Sequence, residues 1–375
     1  MNTHNAIIPP DRLHELYDRW DDLLASTYCG IPGNDATYSS TWTSALAESL
    51  LRDRAISALT VNGPEGTLAL LPYYRQPDQG LLGLNRRLSA ATEVYSGRTS
   101  FIARNNSAEL CDLLLAALGN TIPQWDSFQL TVVQNSAAHR ALYAQVRNGK
   151  LLATSILAEE SPYIALLGNW ADTFESLPKK LRWTIRKSEK DLSTLGALSY
   201  EQHASPDTAE ELLSSIYAIE KESWKEHAGS SITTHGEQRE FYDAFIRLGS
   251  RAGLLSAHLL KLDNKPLAYI LGVRTSDHMF LDLKESFVQS HAKYSPAHVL
   301  KRFAFETLIN AGVIVYDFMG ACEPYKMKWT DKTYRRITII IYNRTIRGRL
   351  GHLKSLMARN HQQVPAPDAP TTDSP

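Results

Sequence analysis

Residues 254–320 constrain the fold more than any other stretch of this chain. They contain three apolar runs of strand length, at 254–262, 267–274 and 278–284, and a polar turn separates the first two. Ser295 followed by Pro296 is a helix-start signal, which predicts a helix over residues 297–311. Residues 313–319 form one more apolar run, closed by Gly320. The sequence therefore predicts three strands, a helix and a fourth strand.

An earlier part of the chain repeats this pattern. Residues 55–74 match residues 254–273 as strand, polar turn and strand, and residues 107–133 match 295–318 as a capped helix followed by a buried strand. Few residues are identical between the copies. Two related domains are our interpretation, although α/β proteins also reuse hairpins and helices without any duplication.

The predicted fold class is α/β (α+β), with two domains that each hold a mixed, mostly antiparallel sheet flanked by helices. We place an N-terminal domain at residues 1–165 and a C-terminal domain at 166–345. Residues 346–375 are expected to form a basic helix, which docks on the protein or on an acidic partner, and a disordered Pro-rich tail. Residues 1–10 read as a loose lead.

Composition narrows the class of protein. The 375 residues are 43% hydrophobic and carry a net charge of zero, which argues against broad electrostatic binding of nucleic acid. Cys29, Cys111 and Cys322 are too far apart to suggest a disulfide framework or a zinc site. No leader pattern and no apolar stretch of about 18 residues is visible. We expect a cytoplasmic protein without a membrane span or a metal.

A basic segment follows the first predicted domain. Residues 178–195 predict a helix in which Arg182 and Arg186 lie four residues apart, and so on one face. One interpretation is a solvated helix face. The other is an anion contact, with the phosphates of CoA, the acidic surface of a carrier protein or the phosphates of tRNA.

Several short motifs give the chain a family resemblance. They are the basic helix at 178–195, Ser223-Trp224-Lys225, Tyr294-Ser295-Pro296, and Asp317-Phe318-Met319-Gly320 running to Tyr325-Lys326. In this order and spacing, over residues 38–345, the chain resembles the CelD/BcsL-type acetyltransferases, double-GNAT proteins related to the Fem-type aminoacyltransferases. The predicted β-β-β-α-β order is also the core order of the GNAT fold. Ala297 stands where the family usually has glycine, and the glycine-rich phosphate loop of single-domain GNAT enzymes is absent.

The resemblance implies tandem GNAT-like domains with the active site in the C-terminal one. The expected activity is N-acyl transfer from a thioester of CoA or of an acyl carrier protein to a small-molecule or peptide amine. The donor is a co-substrate, so no permanently bound cofactor is expected. Strands 278–284 and 313–319 would part to hold the donor, and a backbone N–H would stabilise the oxyanion.

Candidate site residues follow from this arrangement. Asp317 and Glu285 are candidates for orienting the amine or accepting its proton. Asp317 could instead hold the following loop. The groups assigned to the donor are Ser295, Ala297, His298, Arg182 and Arg186. The groups assigned to the acceptor are Trp224, Lys225, Tyr325 and Lys326. For these, the alternatives are a core position for Trp224 and a packed lid for Tyr325-Lys326.

Two other functions stay open from the sequence. The donor could be an aminoacyl-tRNA, as in the Fem relatives, in which case the Arg182/Arg186 helix would contact RNA. Otherwise the chain could be a non-catalytic GNAT scaffold that serves polysaccharide biosynthesis through protein contacts.

Overall fold

A computed structural model describes residues 3–25, 36–77, 86–227, 229, 231–275, 278–358 and 360–368. These residues form two compact units. The first consists of the described parts of Met1–Ala47, Leu51–Glu160 and Tyr334–Pro375, and the second of Glu48–Leu50 and the described parts of Ser161–Thr333. The division differs from the predicted boundaries at residues 165 and 345, because the chain after Thr333 returns to the first unit.

The first unit begins with a short strand that the sequence pattern does not predict. Its elements in chain order are β1 (His4–Ile8), α1 (Tyr17–Ala25), α2 (Ser40–Glu48), β2 (Ser57–Gly63), β3 (Gly66–Arg75), β4 (Arg87–Ala90), β5 (Ile102–Ala103), α3 (Ala108–Thr121), β6 (Ser127–Val133), α4 (Ala137–Arg147) and the start of β7 (Leu152–Ala165). Because β1 pairs with β2 along its whole length, the expected loose lead is wrong.

The second unit starts with the last residues of β7. Its further elements are α5 (Trp170–Ser176), α6 (Lys179–Ser193), β8 (Leu198–His203), α7 (Ala209–Lys221), α8 (Trp224–His227), α9 (Gly236–Arg251), β9 (Leu255–Leu262), β10 (Lys265–Arg274), β11 (Met279–Phe287), α10 (Pro296–Asn310) and β12 (Val315–Asp317). The five elements predicted over residues 254–319 are thus β9, β10, β11, α10 and β12, and only β12 is much shorter than expected.

The end of the chain belongs to the first unit. Strand β13 (Thr333–Tyr342) pairs with β6, and helix α11 (Ile346–Leu356) follows it. The prediction of a disordered tail is wrong as far as residue 368. Ser155 and Gln362 exchange two backbone hydrogen bonds of 2.9 Å as an isolated antiparallel bridge, and Val364 is buried, so the start of the tail is held against the first unit.

Both units have the same topology. In the first, β1, β2, β3 and β4 pair in succession and antiparallel, whereas β4 and β6 pair in parallel. In the second, β8, β9, β10 and β11 pair in succession and antiparallel, and β11 and β12 pair in parallel. The predicted fold class is confirmed, because each unit holds a mixed, mostly antiparallel sheet with flanking helices.

Local sequence explains the hairpin at the centre of the second unit. Asp263 and Asn264 both have positive φ, at 48° and 62°, which is the backbone geometry of the commonest two-residue hairpin turn. These residue types tolerate that conformation better than most. The Asp263 carboxylate also accepts a hydrogen bond of 2.8 Å from the Ala197 N–H, which holds the turn in place.

Candidate active site in the second unit

Strands β11 and β12 part after a short paired segment. They pair only at Met279–Leu281 with Val315–Asp317, after which β11 continues to Phe287 and β12 ends. Met319 and Gly320 then turn the chain away through positive φ values of 49° and 60°. Among the described residues, no strand pairs with β11 on this side beyond Leu281. The open edge lies beside a cavity of about 750 Å³.

The walls of the cavity come from several elements of the second unit. They include the second half of β11, the start of α10, the start of α8 and the segment that follows β12, and Gln238 and Tyr242 of α9 also line the cavity. The charged groups in these walls are Lys225, Asp282, Lys284, Glu285, Lys301, Glu323, Lys326 and Lys328. Five are lysines and three are carboxylates, so the cavity suits a substrate that carries negative charge.

A buried ion cluster lies at the cavity wall. The Lys301 ammonium contacts the Glu285 carboxylate and lies 3.6 Å from Asp282 Oδ2. The Tyr316 hydroxyl donates to the same Asp282 oxygen at 2.7 Å. The Lys301 side chain is only 2% exposed. Burial lowers the pKa of Lys301 to about 8, although Asp282 opposes the shift.

An irregularity in β11 brings the two carboxylates to one lysine. In a regular strand, residues three apart point to opposite faces. Here Leu271 is opposite Lys284 but Gly272 is opposite Asp282, so Leu283 is an extra residue. The bulge lets Asp282 and Glu285 reach the same ammonium group. Glycine is needed opposite it, because a Cβ at Gly272 would lie 2.2 Å from the Phe280 ring.

Two further lysines face the same cavity. The Lys225 ammonium donates to the backbone carbonyl of Glu285, and burial lowers its pKa. Burial also lowers the pKa of Lys284 to about 8, with a smaller effect from the charge of Lys225. Lys284 Nζ lies 3.4 Å from the side-chain oxygen of Gln238. These ammonium groups lose their protons more readily than exposed lysines do.

Helix α10 presents its first turn to the cavity. Ser295 is the N-cap residue, as predicted, but it has a left-handed conformation with φ of 48° and its side chain makes no capping bond. Ala297 and His298 line the cavity beside it. The His298 ring packs edge-on against Trp329. Burial, and secondarily the charge of Lys328, lowers the pKa of His298 to about 4, so the imidazole is neutral at neutral pH.

The segment after β12 is held by Lys326. Its ammonium donates to the carbonyls of Met319 and Ala321 at 2.9 and 3.4 Å and pairs with Glu323 at 3.0 Å. Burial opposes ionisation of Glu323, but the hydrogen bond and charge of Lys326 outweigh it and lower the pKa of that carboxyl. Because an ammonium has only three protons, these contacts occupy the group, which fits the packed-lid alternative.

Most of the predicted site residues meet at this cavity. Glu285, Ser295, Ala297, His298, Trp224, Lys225, Tyr325 and Lys326 all line it. Trp224 is half exposed, so the alternative of a core position is wrong for this residue.

Asp317 lies outside the set of lining residues. It is fully buried, and its Oδ1 accepts a hydrogen bond of 2.8 Å from the Met319 N–H. This is the alternative in which the aspartate holds the loop after the strand. A catalytic role for Asp317 therefore lacks access to a substrate in the cavity.

Arg182 and Arg186 also lie away from the cavity. Both guanidinium groups pair with Glu175 of α5, and Arg186 lies over the Phe174 ring at 4.8 Å. The prediction that they contact the donor at the same site is not supported, because α6 turns this face towards α5.

Sequence reasoning missed Asp282, Lys284 and Lys301. A weak signal was present for Lys301, which stands between Ala297 and Phe305 at helical spacing and so on the apolar face of α10. Asp282 similarly interrupts an apolar strand. A charged residue on a face that must be buried is a sign of a partner or a site.

The described residues contain no group of His, Cys, Asp or Glu able to hold a metal ion, and no described helix is long and apolar enough to cross a membrane.

Comparison with known proteins finds a domain match within the second unit. Residues 179–327 match the Acetyltransferase (GNAT) domain family. No curated protein matches the chain. A solved structure of FemX is 11% identical, with a TM-score of 0.62 over 90% of this chain and 98% of FemX.

Two further solved structures are similar at equally low identity. A conserved protein of unknown function from Bacteroides thetaiotaomicron is 12% identical, with a TM-score of 0.56 over 87% of this chain and 97% of its own. The C-terminal domain of a protein assigned as a lysylphosphatidylglycerol synthetase from Agrobacterium fabrum is 13% identical, with a TM-score of 0.52 over 92% and 96%. The resemblance to the CelD/BcsL-type enzymes stays a prediction, and the second unit has the fold of a GNAT-type acyltransferase.

Proposed function

We propose that the second unit transfers an acyl group from a thioester of CoA or of an acyl carrier protein to an amine. The observation that carries this proposal is the parting of β11 and β12 beside a cavity that holds the Glu285–Lys301 pair. An unpaired strand edge can bind amide groups through its backbone, and the pantetheine arm of either donor contains such groups. The open edge of β11 supports this position for the arm.

The first turn of α10 is the proposed contact for the donor's phosphate. Helix N-termini favour anions because their N–H groups and the helix dipole carry partial positive charge. Ser295 makes no side-chain cap there, and Ala297 and His298 face the cavity. Lys328, from the segment that follows β12, also lines the cavity and adds a positive charge.

The chemistry requires a neutral amine and a proton acceptor. The amine nitrogen attacks the thioester carbonyl carbon, the C–N bond forms, the C–S bond breaks and the thiolate leaves. We assign the Glu285 carboxylate to accept the proton that the amine loses, and Lys301 to hold that carboxylate in position. The proton returns to the departing thiolate, so the products are an amide and a free thiol. Asp317 and Lys326 are assigned to the loop that shapes the cavity.

Native mass spectrometry and thiol release test the proposal together. The intact protein is mixed with CoA thioesters and with acylated carrier proteins, and we expect a complex with one donor class. Adding amines should then release free thiol in proportion to the amide formed. The variant Glu175→Gln, which alters only the contact of Arg182 and Arg186 on α5, should behave like the wild type. A folded protein that binds no thioester would contradict the proposal.

A second candidate is aminoacyl transfer from tRNA. It is favoured by α6, which exposes Lys179, Lys180 and Lys190 together with Trp183 at 61% exposure. Cations with an exposed aromatic ring suit RNA phosphates and bases. If RNase abolishes activity in a mixture with charged tRNA, this donor is favoured. If a purified CoA thioester supports turnover without RNA, it is excluded.

The non-catalytic alternative has its own test. If Glu285→Ala and Asp317→Ala both leave the cellular function intact, a scaffold in polysaccharide biosynthesis is favoured over an enzyme. Acyl-CoA, acyl carrier proteins and charged tRNA are cytoplasmic, so both enzymatic proposals place the reaction in the cytoplasm.

A further inference from the structure

Helix α11 of the first unit turns its apolar residues outward. Ile346, Leu350, Leu353 and Met357 are 79%, 61%, 56% and 81% exposed. Their spacing of four, three and four residues places them on one face of the helix. We call this set the α11 stripe. A surface helix of a globular protein normally packs such a face inward, so the stripe is an exposed apolar patch that requires a partner.

The opposite face of the helix holds it in this orientation. Gly348 is buried, and a Cβ there would lie 2.1 Å from the Asn343 carbonyl oxygen. The Tyr342 hydroxyl donates to Ser355 Oγ at 2.5 Å, and the His352 ring packs against the Tyr342 ring. Rotating the helix to bury the stripe would bring a leucine or isoleucine where only a glycine fits. The outward orientation is therefore built into the packing.

The charges around the stripe have one sign. On a helical projection Arg349 lies on one flank, and Arg347 and Lys354 lie on the other. All three side chains are exposed. The sequence contains no Asp or Glu between Lys332 and Pro367. An apolar stripe between basic flanks is the pattern of a helix that lies in a membrane interface.

We propose that α11 docks the protein on the surface of an anionic lipid bilayer. The α11 stripe would enter the boundary between headgroups and acyl chains, and Arg347, Arg349 and Lys354 would contact lipid phosphates. A second copy of this chain is a poorer occupant. A twofold contact through the stripe would bring the basic flanks of both copies together, with no carboxylate on either helix to pair with them.

Vesicle flotation of the full chain tests this proposal without any activity assay. The probes are vesicles of phosphatidylcholine alone and of phosphatidylcholine mixed with phosphatidylglycerol. We expect binding to the mixed vesicles, and weaker binding as salt rises, because screening weakens the contact of arginine and lysine with phosphate. The double variant Leu350→Glu/Leu353→Glu should lose at least about tenfold in binding. Arg349→Gln and Lys354→Gln should each lose about fivefold.

A matched control keeps the result specific. Leu195 is 44% exposed in the second unit, and Leu195→Glu should float with the vesicles as the wild type does. The α11 substitutions are at exposed positions, so circular dichroism should show all variants folded. The proposal is overturned if the wild type binds neither kind of vesicle. It is also overturned if sedimentation shows a dimer that Leu350→Glu/Leu353→Glu dissociates, since a second copy would then cover the stripe.

Discussion

The two units share a topology but differ at the gap that opens where the two strands of the parallel pair stop pairing. The parallel pair is β4 with β6 in the first unit and β11 with β12 in the second, and each pairs over three residues. In the first unit β6 is the strand that continues, and in the second it is β11. The unpaired edge of β11 in the second unit faces a cavity, whereas the unpaired edge of β6 in the first unit is covered by another segment of the same unit.

Residues 91–101 cover the edge in the first unit. The Thr131 N–H and hydroxyl both donate to the Glu93 carboxylate, at 3.0 and 2.6 Å, and the Thr99 N–H donates to the Thr131 carbonyl at 2.6 Å. Arg336 of β13 donates to the Gly97 carbonyl at 3.1 Å. The backbone groups that would hold a donor are thus already bonded. A repeated fold therefore does not imply a repeated site, because the site depends on what occupies the gap.

The largest expected difference between the units is in the effect on the transfer rate of substituting one glutamate in each, Glu285 and Glu93. Glu285→Gln removes the proposed proton acceptor at the open gap and should lower the rate of acyl transfer by about 100-fold or more. Glu93→Gln, at the covered gap, should leave that rate unchanged and lower the free energy of unfolding by about 1–3 kcal/mol. Initial rates and urea unfolding of both variants check this. Equal rates for the two would remove the functional distinction between the units.

Substitution of Lys301 tests how much its ion pairs beside the open gap contribute to the free energy of unfolding. Lys301→Leu leaves Asp282 and Glu285 without their ammonium partner in a buried place, so it should lower the free energy of unfolding by about 3–5 kcal/mol. The triple variant with Asp282→Asn and Glu285→Gln should recover much of this loss, since it leaves no unpaired charge. Chemical denaturation of the purified variants measures both. If the triple variant is as unstable as the single one, packing rather than charge governs the cluster.

Acid should weaken the second unit through its buried histidines. Burial lowers the pKa of His258 to about 3 and of His298 to about 4, both below the usual value near 6.5. The unfolded chain then binds more protons than the folded one, so stability falls as the pH drops from about 6.5 towards these values. Each histidine contributes up to about 1.4 kcal/mol per pH unit in that window.

The measurement is urea unfolding at neutral pH and at about pH 5. In His258→Gln, the stability difference between the two conditions should shrink, because glutamine does not titrate. The ring of His258 bonds the Tyr200 hydroxyl at 2.7 Å, so a lower stability at both pH values is expected as well. A wild-type difference that the substitution leaves unchanged would assign the acid sensitivity to other groups.

The smallest expected effect concerns the two equivalent helix starts. Ser107 caps α3 by accepting a hydrogen bond from the Leu110 N–H at 3.3 Å, whereas the Ser295 side chain makes no such bond at α10. Ser107→Ala should therefore cost about 1 kcal/mol of stability, and Ser295→Ala only a few tenths. Thermal unfolding compares the two. A cost at Ser295 as large as that at Ser107 would show that the first turn of α10 is capped and not free for a phosphate.

Much of the fold could be predicted because its signals are local. The hairpin β9–β10, strand β11 and the start of α10 at Ser295-Pro296 follow from turn residues, capping residues and apolar runs. Strand β1 was missed, although it is the equivalent of β8, because five residues with mixed polarity give no clear period. Its pairing with β2 is a long-range contact, which a local pattern does not encode.

Most of the residues that the sequence predicted for the site line the cavity, but Asp317 does not. Glu285 and His298 stand at the ends of elements, Trp224 and Lys225 belong to a motif of the family resemblance, and the structure brings all four to one cavity. Asp317 had an equally suitable place in the sequence, but its carboxylate turns back onto the Met319 N–H. The direction of a side chain at the end of a strand depends on the path of the following loop, which no local signal describes.

The sequence by itself determined the order of the elements from β9 to β12, the earlier repetition of that pattern, and the N-terminal start of α10. These depend on periodicity, turns and caps, which act over a few residues. Only the tertiary structure decided that the gap in one unit is filled and in the other open, that a bulge in β11 brings Asp282 and Glu285 to Lys301, and that α11 faces outward. The physical reason is that burial, charge pairing and the space beside a glycine depend on neighbours distant in the chain.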